Sequence, residues 1–264
     1  MTLKIGIFDS GIGGFTILNS LLKTRKDVEV FYLADTQRMP YGNKSFEEIR
    51  HIAKEICTFF EDKNLDALLI ACNTTNACAL DILEKNLRIP CFDLINSVSE
   101  MVNKQKIGVL ATRATVNSSY YKNVLKSKKE NLRIFQQECP EFVSEIEKEK
   151  LDLSKLNHLS DLYLKPLINK NIQELILGCS HYPLIYDCLR KKIDPNIKII
   201  DPSEALIKKF NQSFAIPETD CCESLSYENV QFFVTSNKDE FSKKIKFWLG
   251  INKEIRLVNL RSNV

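Results

Sequence analysis

A plan of segments that occurs twice along the chain constrains its fold more than any other feature. Three pairs of segments match: Leu68–Leu80 with Glu174–Tyr186, Lys4–Gly14 with Lys106–Val116, and Ile89–Asp93 with Ile197–Asp201. In the first pair, an apolar strand leads through a small residue and a cysteine to polar residues and a helix. The members of each pair lie a little over a hundred residues apart and keep one order, which predicts two halves of similar fold.

Short apolar runs alternate with amphipathic stretches along both halves. Eight runs predict strands: Lys4–Phe8, Val30–Ala34, Ala67–Ala71, Ile89–Asp93, Ile107–Ala111, Arg133–Gln137, Leu175–Leu177 and Ile197–Ile200. Helices are predicted over Phe46–Lys63, Ala77–Asn86 and Tyr182–Lys192, the first with Ser45 and Glu48 as a capping box. This alternation is typical of an α/β protein with mostly parallel sheets.

The repeat also predicts the domain organisation. We expect two similar α/β domains related by a pseudo-twofold axis, whose matching strand ends face each other across a cleft that holds the active site. Residues 1–96 plus 207–264 should form the first domain and residues 97–206 the second. The tail from about Phe210 has no counterpart in the repeat, and we expect it to pack back on the first half.

Composition narrows the classes of partner. With a net charge of +3 and lysines interspersed with glutamates, the chain lacks the one-sided field that attracts nucleic acid or a membrane surface. No apolar run approaches the roughly 20 residues of a membrane span. The opening MTLKIGIFDSGIGG has none of the features of a signal peptide. We therefore expect no nucleic-acid or membrane partner and a cytoplasmic location.

Nine cysteines raise the question of thiol chemistry. They are Cys57, Cys72, Cys78, Cys91, Cys139, Cys179, Cys188, Cys221 and Cys222. An odd number without a signal peptide predicts reduced thiols rather than a disulfide framework. Because there is no CxxC pair and there are three histidines, a metal site is not expected. Most of the thiols should be small buried side chains.

Two of the cysteines, Cys72 and Cys179, occupy matching places in the repeat. Each follows an apolar strand, Leu68–Ala71 or Leu175–Gly178, and precedes a helix. Ligands of parallel sheets bind beyond the carboxyl ends of strands, where a helix N-terminus stabilises a thiolate and lowers its pKa. Either cysteine alone fits a buried structural thiol, but the matched pair favours a functional role.

Two thiols that face each other suit the inversion of a carbon centre. Inversion needs a base on one face of the carbon and an acid on the other, so that the proton removed is replaced from the opposite side. A thiol has an ordinary pKa of about 8.5, and a modest lowering brings it near working pH. One cysteine would start as thiolate and the other as thiol, with exchanged roles in the reverse reaction.

Three further groups are candidates to support the thiols. Asp9 follows the first strand in FDSGIGG, His181 lies two residues after Cys179, and Glu147 lies in the charged run SEIEKEK. A carboxylate near a thiol would make it a stronger base or act through a histidine. The structural alternatives are an N-cap or turn for Asp9, a satisfied polar residue for His181 and a solvated helix face for Glu147.

Loop residues offer groups that bind a carboxylate. Gly11–Gly14 is neither a dinucleotide fingerprint nor a phosphate loop with its lysine, so its backbone N–H groups suit a carboxylate better than a nucleotide. Pro40–Gly42 is typical of a turn with Tyr41 as an anchor. Thr112 and Thr115 flank the start of a helix, where their hydroxyls serve either a carboxylate or the N-cap.

Together these segments resemble the glutamate racemases of the aspartate/glutamate racemase superfamily. The motifs that carry the resemblance are FDSGIGG (Phe8–Gly14), ADTQRMPYGNK (Ala34–Lys44), IACNTTNA (Ile70–Ala77), ATRATVNS (Ala111–Ser118) and LGCSHYPL (Leu177–Leu184). The match spans about Lys4–Ala205, which is most of the chain, and the ordered set is very specific.

The resemblance implies a pair of α/β domains, an active site between them, no cofactor, and glutamate as the substrate. The paired catalytic cysteines of the family fall on Cys72 and Cys179, which by analogy serve the D and L enantiomers respectively. Its supporting groups fall on Asp9, His181 and Glu147. Substrate contacts fall on Asp9, Ser10, Pro40, Tyr41, Gly42, Cys72, Asn73, Thr74, Thr112, Thr115, Cys179, Ser180 and His181. In this family D-glutamate supplies peptidoglycan synthesis, and hence the cell wall and cell shape, and some members form homodimers.

The chain departs from the family pattern at a few positions. Ser180 stands where Thr is usual, which keeps the hydroxyl, and Thr75 stands where Ala or Ser is common. Near Glu147, Ser144 replaces a proline and Lys148 replaces an acid. Aspartate racemases of the superfamily typically carry Glu at the position of His181, so the histidine favours glutamate.

Two other classes of protein fit parts of the sequence. A non-catalytic module that binds an amino acid or dicarboxylate would use the same cleft without needing either thiol. A thiol hydrolase would use Cys179 as nucleophile and His181 as base, but leaves Cys72 and its motif unexplained.

Overall fold

A computed structural model of the chain describes residues 2–215 and 225–260. Two of the nine cysteines, Cys221 and Cys222, lie outside the described residues. The same holds for Met1 and for the parts of the predicted first domain that fall in 216–224 and 261–264.

Strands and helices alternate through most of the described chain. The strands are β1 (Leu3–Asp9), β2 (Val28–Ala34), β3 (Ala67–Ile70), β4 (Cys91–Asp93), β5 (Lys106–Ala111), β6 (Arg133–Glu138), β7 (Glu174–Gly178), β8 (Lys198–Ile200), β9 (Val230–Val234) and β10 (Ile255–Leu257). The helices are α1 (Phe15–Thr24), α2 (Phe46–Glu61), α3 (Asn73–Asn86), α4 (Leu94–Val98), α5 (Arg113–Ser118), α6 (Tyr120–Lys128), α7 (Phe142–Ile146), α8 (Leu153–Ile168), α9 (Tyr186–Arg190), α10 (Pro202–Ser213) and α11 (Lys238–Leu249).

The strands form two sheets, and neighbouring strands within each sheet are parallel. The first sheet has the order β10-β9-β2-β1-β3-β4 and the second the order β6-β5-β7-β8. The α/β class with parallel sheets is therefore confirmed. The run β2-β1-β3-β4 has the same order as β6-β5-β7-β8, which sets the three matching segment pairs at equivalent places. This correspondence is consistent with a pseudo-twofold relation between the halves.

The tail adds two strands and a helix to the first sheet. β9 pairs with β2, with Val30 opposite Val230, and β10 pairs with β9. Phe241 of α11 packs on Phe15 of α1, with ring centroids 5.6 Å apart. The predicted boundary between residues 206 and 207 falls inside α10, which packs against α1 and α4. The tail thus contacts the first half, while the division into two domains stays a prediction.

Three predicted helices differ in how they match the structure. The capping box of α2 is present, because Ser45 and Glu48 exchange hydrogen bonds between side chain and backbone. The helix predicted over Ala77–Asn86 begins earlier, at Asn73. The prediction of one continuous helix over Tyr182–Lys192 is wrong. Because the N–H groups of Tyr182 and Leu184 bond three residues back, a 3-10 turn forms first, and α9 follows after a break at Ile185 (φ −113°, ψ 25°).

Among the described residues, no helix combines the length and the apolar character needed to cross a membrane.

Candidate active site

The two thiols occupy equivalent positions in the two sheets. Cys72 lies just beyond β3 and is the N-cap of α3, and Cys179 directly follows β7. The exposed fractions of Cys72 and Cys179 are 4% and 5%, so both thiols are buried. The sequence places both cysteines at strand ends, and the structure has them there.

A chain of polar contacts leads away from Cys179. Its Sγ lies 3.8 Å from Nδ1 of His181. On the other side of the ring, Nε2 lies 2.7 Å from Oε1 of Glu147. Glu147 is 6% exposed, so the alternative of a solvated helix face does not hold for this residue. The C-terminal end of α7 turns the side chain inward, where three groups contact it.

Asp9 joins the two halves of the molecule. Its Oδ2 accepts a hydrogen bond of 2.8 Å from the Ser180 hydroxyl, and its Oδ1 accepts one of 2.8 Å from the Gly11 N–H. Asp9 therefore has both the structural role of a turn residue and a contact to the segment that carries Cys179. Burial raises the pKa of Asp9, although the nearby His181 opposes that rise.

The pKa of Cys72 is shifted in the direction opposite to the one that its helix N-terminus predicts. Burial raises it to about 12, and the carboxylate of Asp9 adds to the rise. The side chain and backbone of Thr75 act to lower it but do not prevail. The predicted lowering is wrong for Cys72 because removal of a thiolate from water outweighs the favourable N–H groups.

The charges of His181 and Glu147 stabilise each other. Burial alone would lower the pKa of His181, but the contacts with Cys179 and Glu147 raise it well above its usual value. Burial acts to raise the pKa of Glu147, yet the hydrogen bond and charge of His181, together with Lys244, lower it to about 2. This pair is therefore an imidazolium beside a carboxylate near neutral pH.

Hydroxyl and amide groups from both halves meet beside the thiols. Thr112 Oγ1 lies 2.9 Å from Thr74 Oγ1 and 3.0 Å from Thr115 Oγ1. Thr112 is also the N-cap of α5, so its hydroxyl takes the structural role considered for it. Asn73 Oδ1 accepts a hydrogen bond of 2.6 Å from Tyr121.

The loop after β2 brings the predicted Pro40–Gly42 turn onto the same network. Tyr41 is buried, and its hydroxyl donates to the carboxylate of Asp35. Gly42 lies so close to Thr112 that a Cβ on the glycine would be 2.6 Å from the threonine Cβ. Ser10, the remaining predicted contact, is 5% exposed beside Asp9.

The glycine loop binds carboxylates that belong to the protein. The N–H of Gly11 donates to Asp9, and the N–H of Ile12 donates to Oε1 of Glu147 over 3.0 Å. A Cβ on Gly13 would lie 2.3 Å from Ser180 Oγ and 2.6 Å from His181 Nδ1. The loop therefore fixes the acids and the histidine around Cys179.

Some residues around the site give no signal in the sequence. Lys244 and Tyr121 contact predicted site residues from distant parts of the chain. A lysine in a mixed-charge helix and a tyrosine at a helix start are unremarkable in sequence, so only the tertiary contacts identify them. Across residues 2–215 and 225–260, no group of three or more His, Cys, Asp or Glu side chains could hold a metal ion.

Buried thiols, a His–Glu pair and a carboxylate between two parallel sheets define a class, the amino-acid racemases, which are isomerases. The Asp/Glu/Hydantoin racemase family matches residues 16–210, and the chain belongs to that family.

Relatives match over nearly the whole chain. A glutamate racemase from Prochlorococcus marinus (strain NATL2A) is 44% identical over 98% of both chains. Among solved structures, the chain is similar to glutamate racemase from Francisella tularensis in complex with D-glutamate. That structure is 33% identical, covers 99% of both chains and has a TM-score of 0.87. A glutamate racemase isoform from Bacillus anthracis has the same TM-score at 29% identity and 98% coverage.

Proposed function

We propose that the chain interconverts L- and D-glutamate by proton transfer between two cysteines, without a cofactor. The observation that carries the proposal is the matched placement of two buried thiols at the ends of β3 and β7. Asp9 is close enough to Cys72 to raise its pKa, and His181 contacts Cys179. Each thiol therefore has its own supporting group, as a two-base reaction requires.

Glutamate is the proposed substrate because relatives that are up to 44% identical over nearly the whole chain are glutamate racemases. One solved relative, at 33% identity, binds D-glutamate. The residues proposed to contact substrate are Asp9, Ser10, Pro40, Tyr41, Gly42, Cys72, Asn73, Thr74, Thr112, Thr115, Cys179, Ser180 and His181. Their hydroxyl, amide and N–H groups supply donors for the two carboxylates of glutamate.

The proposed proton transfer proceeds in two balanced steps. The Cys179 thiolate takes the α-proton of L-glutamate, and the electron pair remains on the carbon. The Cys72 thiol then donates its proton to the opposite face, which leaves Cys72 as thiolate and Cys179 as thiol. The positive α-ammonium of the substrate, held near Cys72, favours the thiolate form that burial of this thiol disfavours.

The wider roles follow from the same proposal. D-glutamate made in the cytoplasm would supply peptidoglycan synthesis and so support the cell wall and cell shape. The proposed domains are 1–96 plus 207–264 and 97–206, with the substrate between them. A homodimer is the proposed assembly, and neither nucleic acid nor membrane is a partner.

The test follows proton transfer in D2O from L-glutamate. If two monoprotic thiols act on opposite faces, the D-glutamate formed carries deuterium at the α-carbon, while recovered L-glutamate carries little at early turnover. Replacement of either Cys72 or Cys179 by Ser should reduce racemisation by at least roughly 10²-fold, since a general acid or base contributes about 10²–10⁴-fold. Circular dichroism measures the rate, and mass spectrometry measures the deuterium.

The Cys188→Ser variant is the matched control. Cys188 lies on α9, is not fully buried, and belongs to none of the contacts described above. We expect this variant to racemise glutamate at the rate of the wild type. Near-normal racemisation by Cys72→Ser or Cys179→Ser would contradict the two-thiol mechanism. Loss of racemisation in Cys179→Ser alone would instead support a racemisation that depends on one cysteine.

A further inference from the structure

Lys244 is an almost fully buried lysine in the tail, where the repeat has no counterpart. It lies on α11 and is 8% exposed. Lysine is rarely buried to this extent unless its charge is paired. Its burial therefore requires partners that hold the ammonium away from water.

Two carboxylates supply that pairing. Nζ of Lys244 lies 2.9 Å from Oε2 of Glu147 and 2.8 Å from Oε1 of Glu240. The Glu240 side chain is half exposed, whereas that of Glu147 is buried. Lys244 therefore extends from the protein surface to the Glu147–His181 pair.

Lys244 and His181 contact different carboxylate oxygens of Glu147. Oε1 accepts from His181 and from the Ile12 N–H, and Oε2 contacts Lys244. The carboxylate is held on both oxygens, so its plane is fixed. A fixed carboxylate in turn fixes the imidazole ring whose other nitrogen contacts Cys179.

The neighbouring residue shows what an ordinary lysine on this helix does. Lys243 pairs with Glu149 at 2.7 Å, but both side chains are about two-thirds exposed. Exposed pairs of this kind contribute little. Lys243 and Lys244 therefore form a matched pair, one on the surface and one within the site.

Charge explains why a second cation is needed at Glu147. With Lys244 removed, His181 would be the remaining cationic contact of Glu147 among the described residues. The carboxylate would then depend on the proton of His181, which is the group that must respond to Cys179 during a reaction. Lys244 keeps Glu147 ionised in either proton state of the histidine.

Other charged and titratable groups surround this cluster. Asp9 and Cys179 face His181, and Tyr32 faces Glu147 from β2. Glu240 lies on α11 itself, and the surface pocket outside Lys244 is lined by Lys148, Glu149, Glu240, Lys243, Phe247 and Trp248. Among these groups, Lys244 is the cation that directly contacts Oε2 of the buried Glu147.

We propose that Lys244 is a positioning residue that anchors Glu147 and thereby fixes the orientation and proton state of His181 beside Cys179. This role rests on the proposed function, because it assigns Lys244 to the Cys179 arm of the two-thiol reaction. Lys244 itself contacts neither thiol nor substrate in this proposal.

The test compares Lys244→Met with Lys244→Arg and with Lys243→Met as the matched control. Loss of a positive charge raises the proton affinity of neighbouring groups by about 1–3 pH units. In Lys244→Met, we expect the acidic limb of the pH profile of kcat/KM to move to higher pH by that amount. Lys244→Arg and Lys243→Met should keep the wild-type profile, and KM near the optimum should change little.

A second readout does not depend on activity. The chain has three histidines, so NMR can follow the ring of His181, assigned by its absence in His181→Asn. The titration midpoint of His181 should rise in Lys244→Met and stay unchanged in Lys243→Met. If Lys244→Met fails to fold, Lys244→Gln removes the charge while it keeps a hydrogen-bond donor.

The two hypotheses fail in different ways. Coincident pH profiles and His181 titrations for Lys244→Met and Lys243→Met, in an enzyme that racemises glutamate, would overturn the role of Lys244 and leave the proposed function intact. A wild-type protein that does not racemise glutamate would contradict the proposed function. In that case a raised His181 titration in Lys244→Met would still support the anchoring of His181.

Discussion

The carboxylate of Asp9, at the end of β1, accepts a 2.8 Å hydrogen bond from the hydroxyl of Ser180, which follows β7 in the other sheet. Both residues are buried. A hydrogen bond to a charged group is worth more than a neutral one, about 1.5–3 kcal/mol. This contact therefore stabilises the approach of the two sheets at the point where the thiols lie.

Two replacements of Ser180 should distinguish the contribution of its hydroxyl from that of the rest of the side chain. Ser180→Ala leaves the buried Asp9 with one fewer donor, and we expect a loss of about 1–3 kcal/mol in the free energy of unfolding together with slower racemisation. Ser180→Thr keeps the hydroxyl and should remain close to the wild type. Urea denaturation and a racemisation assay measure both effects, and equal behaviour of the two variants would count against the hydrogen bond.

Glu147 should make stability depend on pH under acidic conditions. Its pKa is lowered from 4.5 to about 2 in the folded chain, so the stabilisation is fully present above pH 4.5 and is lost as the pH falls toward 2. The full contribution is on the order of 3 kcal/mol. Urea unfolding at pH 6 and pH 3 should show a smaller acid sensitivity for Glu147→Gln than for the wild type.

The control for that measurement is Glu149→Gln. Glu149 carries the same charge two residues away but lies exposed beside Lys243. We expect it to retain the acid sensitivity of the wild type. If both variants respond alike, the effect belongs to net charge rather than to the buried Glu147 pair.

Gly13→Ala should damage the site more than the fold. The added Cβ would meet Ser180 Oγ and His181 Nδ1 at 2.3 and 2.6 Å, so one or both side chains must move. A displacement of about 1 Å in an active site can cost about 10²-fold in rate. We expect a reduction of that order in kcat, with the far-UV spectrum unchanged.

Gly250→Ala is the complementary control to Gly13→Ala. Gly250 has a φ of +71° and nothing within 4 Å of an added Cβ. The left-handed backbone conformation penalises alanine by about 1 kcal/mol. This variant should lower the melting temperature and leave racemisation unaffected, the reverse of the pattern for Gly13→Ala.

Thr75 should influence the thiol of Cys72 through its hydroxyl. The Thr75 side chain acts to lower the pKa of Cys72, and its buried Oγ1 has no hydrogen-bond partner among the described residues. Thr75→Val should raise the pKa further and slow alkylation of Cys72 at pH 8, whereas Thr75→Ser should preserve it. Peptide mass spectrometry resolves Cys72 from the other cysteines. Equal alkylation rates in the two variants would refute this influence.

Sequence reasoning succeeded where the signal is local and failed where it depends on distant contacts. The strands before Cys72 and Cys179 are visible as apolar runs, and their correspondence is visible as a repeat. Lys244 is invisible because its partner Glu147 lies 97 positions away in the chain. The pKa of Cys72 also cannot be predicted from the sequence, because the helix N-terminus is visible there but the depth of burial is not.

The sequence pattern does not predict the tail strands β9 and β10, although it predicts that the tail packs on the first half. β9 is apolar enough to be a strand, but nothing in its sequence indicates which edge it joins. The 3-10 turn at Tyr182 differs from the predicted helix because Pro183 and the bonds back to Cys179 and His181 tighten the chain there. Such details depend on packing between elements rather than on periodicity.

The pairing of Val30 with Val230 has a consequence for how the chain acquires its structure. β2 emerges early in synthesis with an open hydrogen-bonding edge, and its partner β9 is made much later. Contacts of such long sequence separation slow folding, and an uncovered strand edge invites association with other chains. The vulnerable period for aggregation therefore lasts until residues 230–234 have left the ribosome.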